Sequence, residues 1–283
     1  MNTFFLISLF IFGTLFGSFA SVLIWRIRSW EGGIATGRSH CPKCQYTLGA
    51  LDLFPIFSYL FLGGKCRFCH TKISPVYPFL EVTTGILFAL SGHFFINPVL
   101  LFSGSHTEII KLVFFLAIAL ITVVFVFYDI LFMEIPDEVL IPANLLLFVL
   151  LFVTSLGASL PIFNHFLPFQ NTLLNIPIIN ALLGSFGIFA FFYLQIFVSW
   201  GKWMGGGDLR IALFMGLVAG AKIAALGLLL AYFAGSVIGL GILAYTRNRN
   251  TEVPFGPYLA LWLYISLFWY TPIIEWYTRL FTL

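Results

Sequence analysis

The sequence predicts an all-α polytopic membrane protein of about eight transmembrane helices, with a small zinc-ribbon-like cytosolic insert between the first and second. Three observations predict it. The 283 residues are 60% hydrophobic and only 9% charged, against about 25% charged in a soluble globular domain. Uncharged apolar runs recur from end to end, each near the roughly 20 residues that cross a hydrocarbon core. The basic residues, finally, sort to one side of the topology that these runs define.

The first run, Phe4 to Trp25, has no Lys or Arg ahead of it and is followed at once by Arg26 and Arg28. A secretory signal shows the opposite, a basic start and a small-residue cleavage site, so this run reads as a retained span with its N-terminus outside. The spans then fall near 3–25, 77–96, 108–128, 139–156, 177–199, 209–224, 226–245 and 257–277. Only Lys222 and the small residues around it divide 209–245. With this topology every Lys and Arg except Lys111, Lys222 and Arg279 lies on the inner side, which is the bias that cytoplasmic loops carry. Both termini are expected outside. The stretch from Gly157 to Pro177 has no Lys or Arg and is also expected to face outward.

The chain divides accordingly into a first helix, 1–27, an insert, 28–76, and a seven-helix membrane domain, 77–283. The insert holds all four cysteines, as CPKC (Cys41, Cys44) and CRFC (Cys66, Cys69), with 21 residues between the pairs. Two C-x2-C pairs at this distance suit a tetrahedral zinc site, each pair forming a tight knuckle. Lys43, Lys65 and Arg67 favour thiolates. Two disulfides or idle thiols are the alternatives, and disulfides are disfavoured in the cytosol, where the charge count puts this loop. So short an insert has little core of its own, so the metal is expected to supply much of its stability.

Only eleven acidic residues are present. Asp129 ends the third span. Pro136, Asp137 and Glu138 follow in the turn before the fourth, where Asp137 is expected to act as a helix cap or as a favourable partner of the helix dipole. Asp208 opens the sixth span behind Gly205, Gly206 and Gly207. Asp129 and Asp208, 79 positions apart, thus converge on one membrane face. Two carboxylates in a confined site tend to hold one proton between them. The ionised member can then take a proton from water while the other donates to a peptide carbonyl. That is aspartyl protease chemistry. The glycines would let an extended substrate approach the backbone closely. Glu81, near the start of the second span, is an intramembrane ionisable group and a further candidate, or else a partner for a basic residue such as Arg26. A transporter would place such carboxylates near the bilayer midplane on broken helices, not at span ends. A scaffold with a zinc-dependent docking module would leave the two aspartates unexplained.

These segments together resemble the type IV prepilin peptidase family, the bacterial GxGD-type membrane aspartyl proteases. GSFASVLIWRI resembles that family's opening motif, with Ser21 where Asn is usual. RSHCPKC, FPIFSYLFLGGKCRFC and ISPVYPFLEVTTG resemble its cytosolic insert in order. Ala50, Leu53 and Val76 stand there for a usual Trp, Asn and Arg. DILFMEIPDEV resembles the segment bearing the first catalytic aspartate, here Asp129, and MGGGD gives Asp208 as the second, with Arg210 in place of a common Lys. PFGPYLA resembles the motif opening the last span. The resemblance implies cleavage of prepilin or pseudopilin leaders at the cytosolic face of the bacterial inner membrane, before a Phe or Met. It further implies N-methylation of the new terminus with S-adenosylmethionine, which a monofunctional peptidase would lack. The partners implied are prepilins and lipid, with no nucleic acid.

Overall fold

The computed structural model describes residues 2–29, 39–41, 43–156, 176–246 and 253–281. All but the last two residues of the Gly157–Pro177 stretch therefore lie outside the described residues. Regular structure among the described residues is helical: α1 (Asn2–Ser29), α2 (Phe57–Phe61), α3 (Val76–Phe95), α4 (Pro98–Phe102), α5 (His106–Phe132), α6 (Asp137–Ser155), α7 (Pro177–Ser199), α8 (Asp208–Thr246) and α9 (Gly256–Phe281). Seven of these, α1, α3 and α5 to α9, are long and apolar enough to cross a membrane. The chain is thus a multi-pass membrane protein. It divides into two compact units, Met1–Phe127 and Tyr128–Leu283.

Within the first unit, α1 and α3 pack closely because their facing positions are small. Gly13 and Gly17 form a G-x3-G pair on α1, and a Cβ at Gly13 would stand 2.7 Å from the Cα of Gly85. One at Gly17 would stand 2.7 Å from the Cα of Glu81. In lipid, where burial of apolar surface between helices gains little, such close backbone approach is what drives association. Gly92 receives the Leu9 side chain further along the same seam. Between α1 and α3, two isolated antiparallel bridges, His40 with Thr47 and Lys65 with Lys72, close the cysteine loops.

The second unit is where the expected spans need adjustment. Seven helices of crossing length stand where about eight are expected, and the difference lies in 208–246. The sequence reading cuts this stretch near Lys222. The structure breaks it at Gly220, whose φ of 71° and ψ of 175° are not helical. Asn180 of α7 accepts from the Ala221 N–H at 3.0 Å, and Ser185 donates to the Leu213 carbonyl at 3.1 Å. Further along α7, Gln195 accepts from the Tyr232 hydroxyl at 2.9 Å. Residues 208–219 therefore run antiparallel to α7 and 221–246 run parallel to it: the chain folds back at Gly220. At 1.5 Å per residue the first arm is about 18 Å long, short of the roughly 30 Å core. A break needing positive φ falls to glycine because L side chains resist that conformation. α9 kinks in turn at Trp269 (φ −123°, ψ 22°), three residues before Pro272, whose ring and missing N–H disrupt the preceding turn.

Candidate functional site

Asp129 lies near the end of α5, which Met133 terminates with a φ of 52° while its N–H bonds back to the Asp129 carbonyl at 2.8 Å. The side chain is 6% exposed. Its Oδ2 accepts from the Gly256 N–H at 2.9 Å, an amide at the very start of α9 with no partner in its own helix. Asp208 opens α8 and is half-buried. Its N–H bonds to the Gly205 carbonyl at 3.3 Å, and the Arg210 N–H bonds to the Gly207 carbonyl at 3.0 Å. A carboxylate in a helix's first turn is favoured by the orphan amides there. The two side chains predicted from sequence are brought within electrostatic reach of each other. Tyr232 lies within electrostatic reach of Asp208 as well.

The three glycines are unequal. Gly205 and Gly206 are exposed, and a Cβ on either would meet nothing within 4 Å, whereas one on Gly207 would lie 2.6 Å from Ile135 Cγ1. Gly207 is thus a packing requirement, and Gly205 and Gly206 leave an open approach. Asp137 does not cap α6 but lies in its first turn, where the helix dipole favours a carboxylate. The residue preceding α6 is Pro136, with no side-chain cap, and Asp137 is the first helical residue, paired with Arg210 at 2.8 Å. Proline at the capping position has no side-chain acceptor, so Asp137 is left to bind a cation. Gly256 and Ile135 belong to quoted motifs, but their contacts depend on long-range packing that local sequence does not encode.

Glu81 is buried, 8% exposed, and its Oε2 accepts from the Ile56 N–H at 2.7 Å. Ile56 occupies φ 62°, ψ −53°, and the Phe57 N–H bonds to the Pro55 carbonyl. This is a γ-turn of the rare positive-φ form, strained for a β-branched residue. The carboxylate serves the insert's backbone and stands as its anchor.

In the insert the two knuckles are alike. The N–H of Gln45 bonds to the Cys41 carbonyl at 2.9 Å, and the N–H of His70 to the Cys66 carbonyl at 3.0 Å. Gln45 (φ 57°) and His70 (φ 53°) occupy equivalent left-handed positions. None of the four cysteines is in a disulfide. Their sulfurs all lie within 4.8 Å of one another, and Cys41 Sγ is 3.8 Å from Cys69 Sγ. Four thiolates about 2.3 Å from one zinc, arranged tetrahedrally, stand about 3.8 Å apart. The cluster fits a metal ion. Hydrogen bonding with the Thr71 side chain and backbone favours the Cys69 thiolate, lowering its pKa to about 6. Arg67 of the second knuckle pairs with Asp52 at 2.8 Å, whose other oxygen accepts from the Gly49 N–H at 3.1 Å.

Fold and site together define a polytopic helical membrane protein with two aspartates within electrostatic reach of each other in one unit and four thiols that could hold a metal ion in the other. Comparison with known proteins places the chain in a family. Residues 11–95 match the family model described as the bacterial peptidase A24 N-terminal domain. The prepilin leader peptidase/N-methyltransferase of Bacillus subtilis (strain 168) is 30% identical over 96% of this chain and 97% of its own length. The proteins of that name from Aeromonas salmonicida (strain A449) and Pseudomonas aeruginosa are each 28% identical. They cover 95% of this chain and 92% of the relative in the first case, and 94% and 90% in the second. No solved structure matches the chain. The chain belongs to the prepilin leader peptidase/N-methyltransferase family.

Proposed function

We propose that this protein is a membrane aspartyl endopeptidase that removes the leader of type IV prepilins or pseudopilins at the cytosolic face of the bacterial inner membrane, and then methylates the new N-terminus. Asp129 and Asp208 are the catalytic pair. The placing of Asp129 within electrostatic reach of Asp208 is the observation that carries this reading. Two like charges so placed share a proton more readily than they both ionise. The ionised carboxylate draws a proton from a water attacking the scissile carbonyl, and the protonated one donates to the carbonyl oxygen. The Gly256 N–H, bonded to Asp129 Oδ2, fixes that carboxylate's orientation. Gly205 and Gly206, open on the outside, let an extended leader lie against the backbone. The inward bias of basic residues supports the cytosolic face.

Cys41, Cys44, Cys66 and Cys69 hold a structural Zn2+, which ties the two knuckles into one module. Methyl transfer draws on S-adenosylmethionine, and the names of the relatives support it. Purified enzyme is incubated with a full-length prepilin and labelled S-adenosylmethionine, and the product's N-terminus is sequenced. Cleavage lost in both Asp129→Asn and Asp208→Asn, with label incorporated only after cleavage, is the expected result. Cleavage surviving in either variant ends the two-carboxylate mechanism. Cleavage without label leaves a monofunctional peptidase.

A further inference from the structure

Two repelling carboxylates on separate helix ends need something to hold the ends together, and the structure places a clasp beside them. Three contacts join the α5–α6 segment to the glycine turn. Arg210 Nη2 lies 2.8 Å from Asp137 Oδ2. The Asn144 side-chain amide donates to the Arg210 backbone carbonyl at 3.1 Å. Ile135 fills the space where Gly207 has no Cβ. Arg210 is two residues beyond Asp208, and Asp137 is eight beyond Asp129. The clasp therefore bridges the two elements that carry the pair, from outside the pair itself.

We propose that Arg210 and Asp137 are positioning residues that set the spacing of Asp129 and Asp208. The assignment rests on the aspartyl reading above. Stability alone gives the ion pair little purpose. Its side chains are 38% and 42% exposed, and pairs so open to solvent contribute little to folding. Asp137 is also the first residue of α6, where a carboxylate is already favoured by the helix's own amides, so its orientation toward Arg210 is an additional constraint. Misplacement of a reacting group by about 1 Å can cost roughly a hundredfold in rate, so a weak contact can matter greatly to catalysis.

The test uses full-length enzyme in proteoliposomes with an intact prepilin, comparing Arg210→Gln, Asp137→Asn, their double variant and Arg210→Lys. Each neutral single is expected to lower kcat by about tenfold or more with KM within about twofold, at a nearly unchanged thermal midpoint. The double is expected to be no slower than the worse single, because both remove one contact. Arg210→Lys, which keeps the charge, is expected to restore most of kcat. Singles that keep wild-type kcat, losses that multiply in the double, or losses that track a fall in the folded fraction each overturn the proposal. Asp208→Asn runs alongside. If it still cleaves, the aspartyl reading itself has failed; if it is dead while Arg210→Gln is fully active, only the clasp has.

Discussion

The backbone amide of Gly256 donates to Asp129 at 2.9 Å, and a Cβ on residue 256 would lie 2.6 Å from the same carboxylate oxygen and 3.2 Å from Ile211 Cδ1. The hydrogen bond and the missing side chain are one feature: the amide can reach the carboxylate only because nothing projects beside it. Gly256→Ala is therefore expected to push Asp129 off its donor and lower cleavage by roughly tenfold to a hundredfold. The remaining protein should stay folded, since the carboxylate can rotate away. Cleavage rate and thermal midpoint measured on the same preparation check this. An alanine variant with wild-type rate would show that Asp129 does not depend on that amide.

The glycine turn gives a graded prediction. Gly207→Ala must displace Ile135 and so disturbs the clasp, lowering both kcat and thermal stability. Gly205→Ala and Gly206→Ala meet open space, and neither residue has a positive φ. Both should fold normally, and any loss of activity should appear as a raised KM, because the added methyl group stands where substrate would approach. Thermal melts and a KM–kcat comparison across the three separate a packing requirement from an access requirement.

How much of this was legible beforehand follows from the range of each signal. Bilayer-length apolar runs are local and dense, so the helices appear where the hydropathy puts them, with ends extended by a few residues. The C-x2-C pairs are likewise local, and the four sulfurs converge. Asp129 and Asp208 were visible because charge is scarce in this chain. The fold-back at Gly220 was misplaced toward Lys222 because a glycine among many small residues carries no mark of its φ. Asp137 stands where the helix dipole favours a carboxylate, as its place before an apolar run suggests, whereas its pairing with Arg210, 73 positions away, has no local signal. The bond from Ile56 to Glu81 is equally non-local. Contacts between distant segments are where sequence reasoning thins out.

The turn at Gly220 should be intolerant. It has a φ of 71°, and a Cβ there would lie 2.6 Å from Asn180 Nδ2. Gly220→Ala is expected to cost about 1–3 kcal/mol, because a φ of 71° with a ψ of 175° is adopted essentially by glycine alone, with further cost from the clash. Asn180→Ala leaves the half-buried Ala221 N–H without its acceptor, a loss of about 1 kcal/mol. Detergent-solubilised variants should melt earlier in both cases. A wild-type melt for Gly220→Ala would mean that the two arms of α8 do not need this turn.

Glu81 separates an anchor from a catalyst. Glu81→Gln keeps an oxygen that can accept from Ile56, while Glu81→Ala removes it and leaves a half-buried amide unpaired beside a strained turn. The alanine variant should be destabilised by about 1–3 kcal/mol, with the insert cleaved faster by added protease, and glutamine should be nearly neutral. If Glu81→Gln abolished prepilin processing while the insert stayed protected, Glu81 would have a chemical role that its bond to Ile56 does not describe.

Metal removal tests the insert most directly. Four sulfurs within 4.8 Å of one another and two short bridges are a thin basis for a fold, and the apolar side chains of Leu51, Phe54, Leu60 and Phe61 are exposed. Binding energy from the ion therefore has to serve as folding energy. One zinc per chain is expected, released by a thiol-modifying reagent. Its release, or Cys66→Ser, should open the insert to proteolysis while the helices of 128–283 stay protected. Reducing agent should not release the insert if its four thiols hold a metal, because none of them is in a disulfide. Two oxidised pairs and no zinc in protein purified under reducing conditions would refute the four-thiol site.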